Sequence, residues 1–137
     1  MASIGAIIVC DDIRKEINGK DILIGVYGGD ILVSGTPFVL VLGIWFEYFS
    51  SKPGKQSIIA TASFSGRTIS KVKAEIDTSG EPATGIGMPG LLINGEDEGD
   101  LVVEIVANDD AQTFSKTKRI RLAQSSTTDS SGVLPPS

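Results

Sequence analysis

Residues 4–33, IGAIIVCDDIRKEINGKDILIGVYGGDILV, leave this chain few ways to fold. Two apolar runs, residues 6–10 and 22–27, are too short and too β-branched for helices. The polar segment between them, residues 11–21, contains Asn18-Gly19. Both residue types accept positive φ, which makes Asn-Gly the strongest short-range hairpin signal. The stretch reads as strand, polar crossing, tight turn and returning strand, and this hairpin is expected at the centre of a β-sandwich. Asp11-Asp12 should end the first strand, because two adjacent charges are costly to bury. Residues 13–17 then form an edge-like strand or an extended crossing. Gly28-Gly29-Asp30 permits a bulge or bend before residues 31–33 resume extended structure.

The longest apolar run, residues 38–46, opens the most aromatic stretch of the chain, residues 38–49. One face carries Phe38, Leu40, Leu42, Ile44, Phe46 and Tyr48, and the other Val39, Val41, Gly43, Trp45 and Glu47. Both faces begin apolar, as in a sandwich strand that passes under a loop or a partner. Pro53-Gly54 then turns the chain. Residues 56–64 alternate Ile58, Ala60, Ala62 and Phe64 inward with Ile59, Thr61 and Ser63 outward. After Ser65-Gly66, residues 68–76 set Val72, Ala74 and Ile76 against Lys71, Lys73 and Glu75. Residues 77–90, DTSGEPATGIGMPG, hold so much Gly and Pro that an irregular loop is expected, long for a compact domain. A short strand at 91–93 and an acidic turn at 94–100 follow. A terminal hairpin of residues 101–107 and 112–122 closes the domain, with Phe114, Ile120 and Leu122 inward.

The chain has 137 residues and 14.3 kDa, which fits one domain, residues 1–122, with a polar tail at 123–137. Chains of this size bury roughly two thirds of their unfolded surface, so the core needs no disulfide or metal staple. Sixteen glycines and six prolines suit many short strands and turns. The expected fold is all-β: a single antiparallel sandwich, Ig-like or C2-like, of about seven to nine strands. A net charge of −5 argues against nucleic acid as a partner, since such binding needs clustered Lys and Arg. No apolar run approaches the ~18 residues of a membrane helix. The first residues lack a basic region and a small-residue cleavage site, so a soluble intracellular or virion location is expected rather than secretion. Cys10, the single cysteine, reads as a small buried hydrophobe.

With no His and one Cys, zinc sites, Cys–His nucleophiles and Ser–His–Asp triads lack their residues. GVYGGD lacks the spacing and the lysine of a phosphate-binding loop, and no helix pattern follows ATGIGMPG. No cofactor is expected. The acidic turns at 94–100 and 108–110 suggest one alternative, Ca²⁺ held between loops. The two turns flank one strand, however, which should place them at opposite ends.

The first fifth of the chain resembles a family of small bacterial and phage-associated proteins known as a domain of unknown function. An apolar strand (Ile7, Ile8, Val9), Cys10-Asp11, Gly19-Lys20 and Leu23-Ile24-Gly25-Val26-Tyr27 carry the resemblance. It implies a bacterial or phage origin and a sandwich, and no reaction.

The expected role is therefore a non-enzymatic structural or protein–protein interaction module. It would be a subunit of a larger assembly such as a phage virion, in capsid decoration, neck or tail, with other subunits or copies of itself as partners. A soluble bacterial sandwich binding a small ligand or Ca²⁺ is the alternative. The candidate contacts are Trp45, Tyr48 and Phe49, Met88 in the Gly/Pro-rich segment, the basic run Lys116, Lys118, Arg119 and Arg121, and Val133 and Leu134 in the tail. Aromatics dominate buried interface energy. Lysines on the last strand equally resist unwanted strand addition.

Overall fold

The computed structural model describes residues 2–50, 54–77, 83–107 and 113–123. They form nine strands: β1 (Ala2–Lys15), β2 (Asp21–Val26), β3 (Ile31–Val33), β4 (Phe38–Ser50), β5 (Lys55–Phe64), β6 (Arg67–Asp77), β7 (Ala83–Gly95), β8 (Gly99–Ala107) and β9 (Thr113–Leu122). Two sheets result. Sheet A has the order β2-β1-β4-β7, and sheet B the order β3-β9-β8-β5-β6. All pairings are antiparallel except β3 with β9, which run parallel. The chain is a β-sandwich. The alternation of β4 decides which side of sheet A is core. Phe38, Leu42, Ile44, Phe46 and Tyr48 are buried against Ile58, Phe64, Leu101, Ile105 and Ile120 of sheet B. Phe38 and Phe64 meet edge to face across the sheets, with centroids 5.6 Å apart.

Two turns follow the expected chemistry. Gly19 has φ 88°, and the β1–β2 hairpin closes there with Lys15 opposite Asp21. Ser65 and Gly66 both have positive φ, 52° and 83°, as a two-residue hairpin between β5 and β6 requires.

Five expectations change. Asp11-Asp12 does not end the first strand. Beyond Cys10, β1 pairs only with β2 and leaves the sheet, laying Ile13 over Gly43 and Gly87 outside β4 and β7, while Asp11 stays exposed and Asp12 partly so. Residues 13–15 continue β1 instead of forming a separate element, and β2 is an edge strand rather than a central one. The Gly/Pro-rich segment is also regular from Ala83 onward. It pairs along almost all of β4, from Phe38 opposite Gly95 to Phe49 opposite Ala83, with a register shift near Pro89 and Gly90. The reason is spatial. A Cβ on Gly85 would lie 2.7 Å from the Trp45 ring, and one on Gly87 would lie 3.1 Å from Ile13. These glycines let neighbouring side chains lie flat over the strand, which is compatible with full pairing. Residues 78–82 lie outside the described residues. Finally, Val72 is exposed rather than inward, because β6 is the edge of sheet B.

Candidate interaction face

Cross-strand neighbours share a face, so the register places side chains on the outside of each sheet. Outside sheet A, Val39 lies opposite Asn94, Val41 opposite Leu92, Gly43 beside Cys10, Trp45 between Ile8 and Gly87, and Glu47 opposite Gly85. Glu47 is the one charged residue in these rows. Val39, Val41 and Leu92 keep 67%, 56% and 54% of their surface in water, and they are contiguous. Phe49, farther along β4, is exposed on the same side. The glycines make room for Ile13 and the Trp45 ring, which lie across the strip.

Trp45 is half-buried and anchored at the far end of this strip. Its ring packs over Gly85, and its Nε1–H donates to Asp21 Oδ2 at 3.0 Å. The other Asp21 oxygen accepts from Lys15 Nζ at 2.8 Å. That bond holds the Asp21 carboxyl below its ordinary range, and the Trp45 bond acts in the same direction against partial burial. The hairpin tip is thereby pinned to the sheet, and the indole is oriented in advance. Nearby, the Tyr27 hydroxyl donates to Asp11. Burial first, and then the Asp11 carboxylate, push the Tyr27 pKa up to about 12. Burial likewise raises the Cys10 thiol, which is fully enclosed. Cys10 is enclosed beside Gly43 together with Ile13, a packed side chain rather than a reactive one.

The remaining candidates scatter. Tyr48 is wholly buried, with its hydroxyl 3.4 Å from Gln56 Oε1, so it serves the core and cannot touch a partner. Met88 is partly buried and lines a small apolar cleft of about 100 Å³ where β6 and β7 approach, together with Ile44, Ala62, Val72 and Leu91. The basic run does not form one patch. Lys118 retains only 9% exposure and shares the inward face with Ile120, whereas charge alone suggested the surface. Lys116 is exposed. Arg119 pairs with Asp100 at 3.4 Å and Arg121 with Asp30 at 2.8 Å, so both are engaged on the outside of sheet B. Val133 and Leu134 lie outside the described residues.

The acidic turn is occupied too. Asp97 Oδ1 accepts from the Glu98 amide, and Glu98 Oε2 accepts from the Leu122 amide, both at 2.7 Å. Among the described residues no three His, Cys, Asp or Glu side chains gather as metal ligands, and no helix is long and apolar enough to cross a membrane. Residues 108–110 lie outside the described residues. Sequence reasoning missed the strip at Val39, Val41 and Leu92, although the apolar start of both β4 faces was its signal. Compared with protein-family models and with curated proteins, the chain matches none.

Proposed function

We propose that this chain is a non-enzymatic interaction module, a subunit of a larger assembly. A phage particle is the setting that the N-terminal resemblance suggests. The observation that supports this reading most is the outer surface of sheet A, where Val39, Val41 and Leu92 are exposed side by side and an anchored Trp45 stands farther along the same strand rows. A sheet surface facing only water normally alternates apolar inward and polar outward residues, and contiguous apolar patches mark contacts. Sedimentation of extracts from cells that make the protein tests the reading. The chain should travel in a species heavier than 14.3 kDa. Migration as a free 14.3 kDa chain would contradict it.

The cleft beside Met88 favours a second reading, binding of a small apolar ligand. Its lining is apolar apart from Thr61 and Ser70. Saturation with benzene should then raise the melting temperature through linkage to the native state, and an unchanged temperature would remove this reading.

A further inference from the structure

We propose that the outer face of sheet A is the surface on which two copies of this chain meet, sheet against sheet about a two-fold axis. This rests on the reading of the chain as an assembly subunit and names its first partner.

Charge selects the partner. Each copy carries a net −5, so most approaches bring like charges together. The rows of β4 and β7 outside sheet A contain one carboxylate, Glu47, and the hairpin that crosses them pairs Asp12 with Arg14 and Asp21 with Lys15. Two such faces can be pressed together with little desolvation of charge, and each offers the other an equally neutral surface. A strongly charged partner would find nothing there to pair with.

Area supports the same occupant. β1, β4 and β7 have 14, 13 and 13 residues. At ~3.4 Å per residue and ~4.8 Å per strand, three strands of this length measure roughly 44 by 14 Å, or about 600 Å² at most, the lower end of the standard range. A stable interface of standard size takes about 800 Å² from each partner. Two-fold symmetry makes the patch self-complementary, and aligned sheets pack about 10 Å apart.

Three of the four sheet edges do not compete for this role. β3 has only three residues, β6 carries Lys71 and Lys73, and β7 is interrupted at Pro89 and Gly90. Short length, lysines, proline and bulges are the devices that block strand addition. Three edges are guarded in these ways, whereas β2, the fourth, exposes Ile22, Ile24 and Val26. Trp45, fixed in advance by Asp21, loses little freedom when covered.

Sedimentation equilibrium of the purified full chain tests this. A concentration-dependent species of twice 14.3 kDa is expected. Val41→Asp and Leu92→Asp should each weaken association at least a hundredfold, while Thr117→Asp on the outside of sheet B leaves it unchanged. If an aspartate variant misfolds, the milder Val41→Thr keeps the test, with association weakened about tenfold. A chain that stays at 14.3 kDa at every concentration overturns the proposal. So does a dimer that survives Val41→Asp but dissociates when the chain is cut after Ala123, since the contact would then belong to residues 124–137. A monomeric purified chain with a heavy species in extracts would overturn this interface alone and leave the assembly reading standing.

Discussion

The two outer faces of the sandwich are built from the same kind of strand and decorated in opposite ways. Outside sheet B, Lys71, Thr61, Glu104 and Ser115 form one cross-strand row, and Lys73, Ile59, Val106 and Thr113 the next. Asp100 faces Arg119 in a third. Charges of both signs and hydroxyls flank the half-buried Ile59 and Val106, which is what a sheet facing water needs. Outside sheet A the corresponding rows hold Val41 with Leu92, Gly43 with Cys10, and Trp45 with Gly87. The Gly43 and Gly87 rows hold Ile13 and Trp45 for the chain's own fold, but the core does not require Val39, Val41 and Leu92, which stay exposed. The difference therefore points to what the face contacts and not to how the chain folds.

Charge insertion should break the comparison most sharply. Val41→Asp is expected to abolish self-association while shifting the folding stability of the monomer by less than ~0.5 kcal/mol, as surface substitutions usually do. Chemical denaturation below the association range would show this, and a loss of several kcal/mol would mean that Val41 belongs to the core.

Gly85→Val acts one step deeper. Its side chain would collide with the Trp45 ring, 2.7 Å from the position of the new Cβ. Overpacking of this kind costs about 2 kcal/mol, measurable by urea titration. It should also weaken association, because the indole would leave its pinned position. An unchanged urea midpoint would show that the ring moves aside freely.

Tyr27→Phe and Asp21→Asn sharpen the picture at the sheet margin, each costing about 1 kcal/mol at neutral pH. Their pH profiles should run in opposite directions. The Tyr27 pKa is raised to about 12 in the folded chain, so its contribution is complete below the ordinary value of 10.0 and is lost as pH climbs through about 12. Asp21 is held below 3.8, so its contribution is complete above that value and is lost as pH falls through the lower folded value. Thermal unfolding across pH should show Tyr27→Phe less sensitive to alkali and Asp21→Asn less sensitive to acid than the unaltered chain. Parallel profiles would contradict both assignments. The smallest effect belongs to sheet B, where Thr117→Asp should change neither mass nor midpoint.

Much of this architecture is legible in the residues. The alternation along β4 identifies the core face, and Asn18-Gly19 and Ser65-Gly66 locate two hairpins because positive φ restricts those turns to few residue types. β7 is illegible for a physical reason. Gly85 and Gly87 look like loop residues until Trp45 and Ile13, about forty and seventy positions earlier, are found lying across them. A local pattern cannot contain a contact at that separation. Lys118 misleads similarly, since its charge suggests water while its parity with Ile120 places it inward. Tyr48 and Trp45 look equivalent as aromatics, yet they occupy opposite faces of β4. Parity along the strand separates them better than residue type does.

The most direct test compares the two faces in a single assay. Val41→Cys and Thr117→Cys place one thiol outside sheet A and one outside sheet B, and Cys10, fully buried, stays silent. Maleimide labelling is followed as protein concentration rises. Labelling at Val41→Cys should slow as copies cover sheet A, while labelling at Thr117→Cys keeps its rate. Equal rates at both positions across the whole range would contradict the assignment of sheet A as the contact face.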